Sequence, residues 1–460
     1  MTSLSSKRDA EQDGLPEPAR TWAVVTTALG LMMAVLDGSI ANLALPTLAA
    51  EFDVSAAQSI WVVNAYQLAV TISLLPLAAL GEIVGYRRVY RVGVALFTVA
   101  SLACAMSHSL TELTIARVAQ GFGAAGLMSV NSALVRFIYP RHLLGRGFGV
   151  NVMVGSASSA LGPSVAAAIL SVAGWQWLFA VNVPLGALIL ILGAKSLPFT
   201  PRASHRFDWG SAALNAVTFG LFISGIEAFG HGGSAGYAVL EMVAGLAAGV
   251  VLVKRQVSRV NPLLPVDLMR RPIFALSVAA STFSFAAQSM AFVTLPFYLE
   301  RGLGFGRGET GLLMTPWPLT VMIVAPVAGR LADRFSPGLL GGLGQALMVI
   351  GLLLLALLPL HPALWDIGWR MSLCGVGFGL FNSPNNKTMI ASAPPSRAGG
   401  ASGMQATSRL LGQTSGVALV ALVFGLVATG GTTAALCIAA AFGVLACLSS
   451  VLRTGRGVSL

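Results

Sequence analysis

Charge is what this sequence has least of. Only 10% of its 460 residues are Asp, Glu, Lys or Arg, against about 25% in soluble domains. That scarcity excludes a sizeable solvated domain. Acids are fewer than bases, 17 against 28, which leaves a net charge of +11. The bases sit in short connections between apolar runs rather than in one patch, so no nucleic-acid partner is expected. The four cysteines, Cys104, Cys374, Cys437 and Cys447, all lie inside apolar runs with no CxxC pair, which argues against a disulfide framework. No histidines stand at metal-ligand spacing, and neither a metal nor a cofactor is expected. The nucleotide-binding pattern G-x-x-x-x-G-K-[ST] is also missing, as is any visible nucleophile, base and oxyanion set, so neither ATP use nor enzyme activity is expected.

What is present is apolar sequence, 55% of the chain, with 52 glycines. A spanning helix needs about 20 apolar residues. The runs that meet this are Trp22 to Leu45, Ser59 to Leu80, Val89 to Met106, Leu113 to Leu134, Phe148 to Val172 and Trp177 to Leu197. Two more, Gly210 to Phe229 and Tyr237 to Val253, precede a further six: Ile273 to Leu299, Thr310 to Leu331, Leu339 to Leu358, Gly368 to Ile390, Gly403 to Val427 and Thr433 to Leu452. The expected fold is an all-α polytopic membrane protein of fourteen spans. Its parts are a cytoplasmic tail over 1–21, a six-helix bundle over 22–197, a linker with two extra helices over 198–271, a second six-helix bundle over 272–452, and a tail over 453–460. Lys7, Arg8 and Arg20 ahead of the first run resemble a signal-peptide start. That run is too long for one and many follow, so it is read as an uncleaved helix.

Basic residues test the orientation, because cytoplasmic loops are enriched in them. With the N-terminus inside, the inner connections hold Arg87, Arg88 and Arg91, then Arg136, Arg141 and Arg146, then Lys195, Arg202 and Arg206, then Lys254, Arg255, Arg259, Arg270 and Arg271, and later Arg330, Arg334, Lys387, Arg397, Arg453 and Arg456. The outer loops hold only Arg301, Arg307 and, at a helix start, Arg370. Both termini are therefore expected in the cytoplasm.

A carboxylate stands in the first run. Asp37 falls roughly 22 Å along a helix begun at Trp22, past the middle of a hydrocarbon core about 30 Å thick. Acids placed there face a bundle interior and mark ion or substrate paths. An unpaired buried carboxyl there can trade a proton for a cation; a structural role, bonded to its neighbours, is the alternative. Arg117, inside the fourth run, is its expected charge partner and a bundle tether.

The two six-run blocks repeat. Leu45-Pro46 recurs as Leu295-Pro296, Pro76 as Pro326, and Glu82 matches Asp333 within one residue. Shared spacing of helix breakers and acids argues for two similar halves.

Five stretches carry a family resemblance. Leu113-Thr-Ile-Ala-Arg117-Val-Ala-Gln120-Gly121-Phe-Gly123-Ala124-Ala125 resembles the fourth-helix motif of the major facilitator superfamily, L-x-x-x-R-x-x-Q-G-x-G-A-A. Ala78-Ala-Leu80-Gly81-Glu82-Ile83-Val84-Gly85-Tyr86-Arg87-Arg88 resembles the loop motif after its second helix, G-x-L-x-D-R-x-G-R-R, with Ala78 for the first glycine, Glu82 for the aspartate and Ile83 for the first arginine; Gly329-Arg330-Leu331-Ala332-Asp333-Arg334-Phe335-Ser336, the second-half copy, is closer to the pattern. Gly155-Ser156-Ala157-Ser158-Ser159-Ala160-Leu161-Gly162-Pro163 is similar to the fifth-helix motif of its antiporters, with Ala166 and Ala167 where a glycine pair is common. Leu36-Asp37-Gly38-Ser39-Ile40-Ala41-Asn42-Leu43-Ala44-Leu45-Pro46 resembles the first-helix motif of the fourteen-span drug:proton antiporters, with Ser39 for threonine.

The resemblance implies alternating access by rocking of two halves and export of small amphipathic, cationic compounds in exchange for protons, from a bacterial inner membrane. Asp37 and Arg117 would couple protons. Glu82, Arg87, Arg88, Arg330, Asp333 and Arg334 would gate; a plain positive-inside loop is the simpler reading of the bases. Gly155, Gly162 and Pro163 would form the antiporter bend. Read from the residues themselves, Asn42, Gln120, Asn151, Arg409 and Gln413 are candidate substrate-cavity contacts, with an inner helical extension the alternative place for Arg409. Glu227 and Glu241 read as solvated surface, and Lys387 as reaching to the membrane boundary. The expected partners are a small-molecule substrate, protons and the bilayer, with a monomeric protein. Proton-coupled uptake of one polar metabolite is the second reading, and a non-transporting sensor or scaffold the third.

Overall fold

The structure, a computed structural model, describes residues 14–54, 56–59, 61–204, 206–230, 235–257, 262–359, 361–427 and 430–454. These residues are helical with no strand among them. The long helices are α1 (Ala19–Glu51), α2 (Trp61–Val84), α3 (Tyr86–Ala105), α4 (Leu110–Ile138), α5 (Leu144–Val172), α6 (Asn182–Ser196), α7 (Trp209–Gly230) and α8 (Ala235–Val257). They continue as α9 (Pro272–Phe297), α10 (Pro316–Ala332), α11 (Pro337–Ala356), α12 (Leu364–Ala391), α13 (Ala398–Leu426) and α14 (Gly431–Val451).

Local chemistry sets several of the ends. Gly85, at φ +98°, turns the chain between α2 and α3 with no further linker, a conformation that glycine adopts without steric cost. The Ser109 hydroxyl accepts the Glu112 N–H at 3.2 Å while Glu112 accepts the His108 N–H at 2.9 Å, and together they cap α4.

Among the described residues, eleven helices are long and apolar enough to cross a membrane, or twelve if the bent pair Arg141–Gly162 and Ser164–Val172, with a 45° bend, is one span. The fourteen spans read from the sequence are thus not all confirmed. The long helices outside that set are α7 and α12. The side chains at the end of α7 lie outside the description, and α12 is diluted by Asp366, Arg370, Lys387, Asn382, Asn385 and Asn386.

Contacts divide the chain into two units. Unit 1 holds 1–144, 158–267 and 394–406; unit 2 holds 145–157, 268–393 and 407–460. The first part of α5 thus groups with the second half of the sequence, and the first part of α13 with the first half. In unit 1, α4 lies against α2 and α3, and α1 against α6 and α4; α7 lies on α2, with α8 on α7. A Cβ on Gly121 would stand 2.7 Å from the Tyr66 carbonyl, so only glycine lets α4 come this close to α2. α8 leaves Tyr237, Leu240, Val243, Leu246 and Val250 exposed. In unit 2, α11 packs on α12 and α14, α9 on α14 and α12, and α10 on α12. Its core centres on Trp317, Met290, Met348, Met371 and Cys374, with the Phe292 and Trp317 rings edge to face at 5.1 Å.

Candidate functional site

Within unit 1, three helices bring polar groups to one buried point. Asp37 from α1 is 2% exposed and Arg117 and Gln120 from α4 are 0% exposed. The Arg117 Nη1 donates to Asp37 Oδ2 at 2.5 Å. The other carboxylate oxygen, Oδ1, accepts Gln120 Nε2 at 2.9 Å and Asn182 Nδ2, from α6, at 2.8 Å. Arg117 also donates through Nε to the Val62 carbonyl at 3.1 Å and through Nη1 to Gln120 Oε1. Its guanidinium lies 4.1 Å from the Tyr66 ring centre and 5.6 Å from that of Phe179, a placement that offsets desolvation of the cation. Its Nη2 meets no hydrogen-bond partner among the described residues.

The acid is paired with Arg117, its expected charge partner, and the amides of Gln120 and Asn182 take its other oxygen. The reason is helical geometry: Arg117 and Gln120 are one turn apart and reach the same carboxylate from one face of α4. Gln120, expected to line a substrate cavity, instead spends its amide on Asp37 and Ser101 and its carbonyl on Arg117. Asn182 was missed by sequence reasoning; its only signal was a lone amide early in an apolar run.

The acids of the two loop motifs are also satisfied, but not by the motif arginines. In unit 1, Glu82 Oε2 accepts Arg397 Nη1 at 2.9 Å and Oε1 accepts the Gly400 N–H at 2.7 Å. Arg397 in turn grips Asp267 with Nε and Nη2, at 3.0 and 2.9 Å, and donates to the Pro262 carbonyl. The Gly399 N–H donates to the Tyr86 hydroxyl at 2.8 Å. In unit 2, Asp333 accepts Lys387 Nζ at 2.9 Å, the Gly145 N–H at 2.8 Å and the Arg146 N–H at 3.3 Å. Each acid thus sits on the free N–H groups that open a helix, where the helix dipole favours negative charge. Glu82 does this for α13 and Asp333 for α5.

Several expectations change accordingly. Arg330 and Arg334 are exposed, and Arg88 is exposed. Arg87 donates to the Ala194 carbonyl and lies 4.4 Å from the Phe199 ring centre. Lys387 does not simply extend to the membrane boundary; its ammonium joins Asp333 and the Ala332 carbonyl. Arg397 and Asp267 were missed as functional candidates. Pro140 before Gly145 and Pro394 before Gly399 stand at the same spacing, and that was the available signal. Arg453, read as a loop cation, is 3% exposed and bonds Ser277, Asn385 and Ser450. Burial among these neutral partners pushes its pKa down to about 10.

In the antiporter stretch a Cβ on Gly162 would run into Ser39 of α1, whereas one on Gly155 would meet nothing within 4 Å. Asn151, Arg409 and Gln413 are half-buried in unit 2, and the Gln413 carbonyl accepts the Ser289 hydroxyl at 2.9 Å. The side chains of Asn42, Pro163 and Glu227 lie outside the described residues. Glu241 is half-buried rather than solvated, with Oε2 enclosed in the packing of α8.

A buried acid and arginine on separate helices, with acidic groups set on two helix starts, suit a protein that moves between arrangements. Residues 27–417 match the Major Facilitator Superfamily. The chain belongs to that family. It is a multi-pass membrane transporter, and not an enzyme. It is 54% identical over 445 residues to the uncharacterized transporter YebQ of Escherichia coli (strain K12), spanning 96% of this chain and 97% of that one. It is 30% identical over 409 residues to the riboflavin transporter RibZ of Clostridioides difficile (strain 630), spanning 88% of each. It is 32% identical over 409 residues to the multidrug resistance protein Stp of Mycobacterium tuberculosis (strain CDC 1551 / Oshkosh), spanning 87% of this chain and 75% of that one. As a family member the protein takes a small-molecule substrate.

Proposed function

We propose that this transporter exports small amphipathic, cationic compounds in exchange for protons by alternating access, as a fourteen-span monomer in a bacterial inner membrane with both termini in the cytoplasm. The observation that carries the reading is the ion pair of Asp37 with Arg117 inside α1 and α4. A proton placed on Asp37 removes one charge of the pair and leaves Arg117 held by the Val62 carbonyl, Gln120 and two aromatic rings. That changes which groups face α1, so proton uptake and release are linked to the packing of α1 on α4 and α6. Exchange of one proton for one monovalent cation moves no net charge and is driven by the pH gradient; each further proton adds about 2.3 kcal/mol per 100 mV. Glu82 with Arg397 and Asp333 with Lys387 act as latches, made when their helix starts dock and broken when they part. Gly162 brings α5 against Ser39 in the antiporter bend with Pro163 and Gly155, while α7 and α8 are peripheral. Asn42, Asn151, Arg409 and Gln413 are the proposed substrate contacts, and similarity to Stp, a multidrug resistance protein, supports a drug-like substrate.

The test uses inverted vesicles with a respiration-built proton gradient, to which cationic dyes are added one at a time. Dye addition should dissipate the gradient with the wild-type protein and not with Asp37→Asn. Equal behaviour of the two would remove Asp37 from the coupling. Similarity to RibZ favours a second reading, transport of one polar metabolite; a response to riboflavin and to no cationic dye would select it.

A further inference from the structure

Where α2 gives way to α3, four arginines meet in one cleft. Arg87, Arg88, Arg91 and Arg202 line a cavity of about 260 Å³ together with Val84, Gly85, Phe199 and Thr200. The cleft is built: the Tyr86 N–H donates to the Thr200 hydroxyl at 3.1 Å, and the Ala203 N–H to the Glu82 carbonyl at 2.7 Å. These bonds strap the segment after α6 across the start of α3. Arg87 is held in place by the Ala194 carbonyl and the Phe199 ring. None of the four arginines meets a carboxylate among the described residues.

We infer that this cleft binds the phosphate group of an anionic phospholipid. Like charges crowded in one cleft repel, and an anion between them relieves that. Planar guanidinium forks match the oxygens of a phosphate, and the cleft is too small for a drug-sized compound. The cleft also has an apolar shoulder. Phe199 is 84% exposed, and Val92, Leu96 and Val99 are exposed in line with Arg88 on one face of α3, since residues three and four apart share a helix face. A headgroup in the cleft therefore has an acyl-chain path beside it, which a free phosphate does not need. The inference rests on membership in a membrane family and not on the transported substrate.

The experiment is native mass spectrometry of the delipidated full chain titrated with phosphatidylglycerol, phosphatidylcholine and, separately, inorganic phosphate. Phosphatidylglycerol should bind at least tenfold tighter than phosphatidylcholine, and the triple variant Arg88→Gln, Arg91→Gln, Arg202→Gln should lose that preference. A charge-matched control, Arg206→Gln, Lys254→Gln, Arg270→Gln, should keep it. If the triple variant does not fold, Arg91→Gln and Arg202→Gln alone should each weaken binding about fivefold. Equal binding of the two lipids, or equal loss in the control, overturns the inference. Tight inorganic phosphate binding lost in the triple variant, with no lipid preference, keeps the phosphate site and replaces the lipid as its occupant.

Discussion

Glu82 and Arg397 stand 315 positions apart in the chain and meet at 2.9 Å, with side chains only 1% and 8% exposed. Removing the guanidinium leaves a buried carboxylate with one backbone N–H, and leaves Asp267 without its bidentate partner. Breaking one side of a buried pair costs about 3–5 kcal/mol. Arg397→Gln should therefore lower the thermal denaturation midpoint sharply, and adding Glu82→Gln to it should cost less than the sum of the two. Additive losses in that double-mutant cycle would show that the pair is not coupled.

The Asp37 and Arg117 pair makes a different demand, because there both stability and transport are read. Asp37→Asn keeps the volume and most hydrogen bonds but leaves Arg117 buried without its counter-charge, again about 3–5 kcal/mol. Arg117→Gln combined with Asp37→Asn should recover much of the stability lost by either alone while transport stays abolished. Recovery of dye-driven proton release in the double variant would mean that the coupling acid lies elsewhere.

Gly162 and Gly155 separate two meanings of a glycine-rich stretch. Gly162→Ala should destabilise the protein by about 1–3 kcal/mol, the usual cost of overpacking, and Ser39→Gly should relieve it, since the clash is with the serine side chain. Gly155→Ala should leave the thermal midpoint unchanged or slightly raised, since alanine is favoured over glycine in a helix. Equal destabilisation by both would count against the observed approach of α5 to α1.

Asp208 gives a pH signature outside the spans. Partial burial alone would raise its pKa, but the Ser211 hydroxyl and N–H and the Arg255 guanidinium together hold it below the ordinary 3.8. A lowered carboxylate contributes stability above its unfolded pKa and loses it as pH falls through the folded value. Arg255 is 45% exposed, so the effect stays below about 1 kcal/mol. The midpoint gap between wild type and Asp208→Asn should be constant from pH 8 to about 5 and shrink progressively as the pH falls below the ordinary carboxylate value. A gap that widens on acidification would contradict the assignment.

The sequence by itself determined that the chain is helical and apolar, where its helices run, and which few ionisable residues fall inside them. Those follow from local composition: hydrocarbon-length apolar runs, glycine punctuation and the rarity of charge make an intramembrane Asp37 or Arg117 conspicuous. The family was legible for the same reason, because its motifs are short and contiguous. Tertiary structure decided the partners. Arg330 and Arg334 stand beside Asp333 in sequence, yet Lys387 reaches it, and Glu82 takes Arg397 rather than Arg87 or Arg88. The groups that satisfy a buried acid come from whichever segment packs against it: Lys387 from α12, and Arg397 from just before α13. Asn182 and Asp267 reach their partners only through packing, and the arginine cleft takes shape only when the segment after α6 crosses the start of α3.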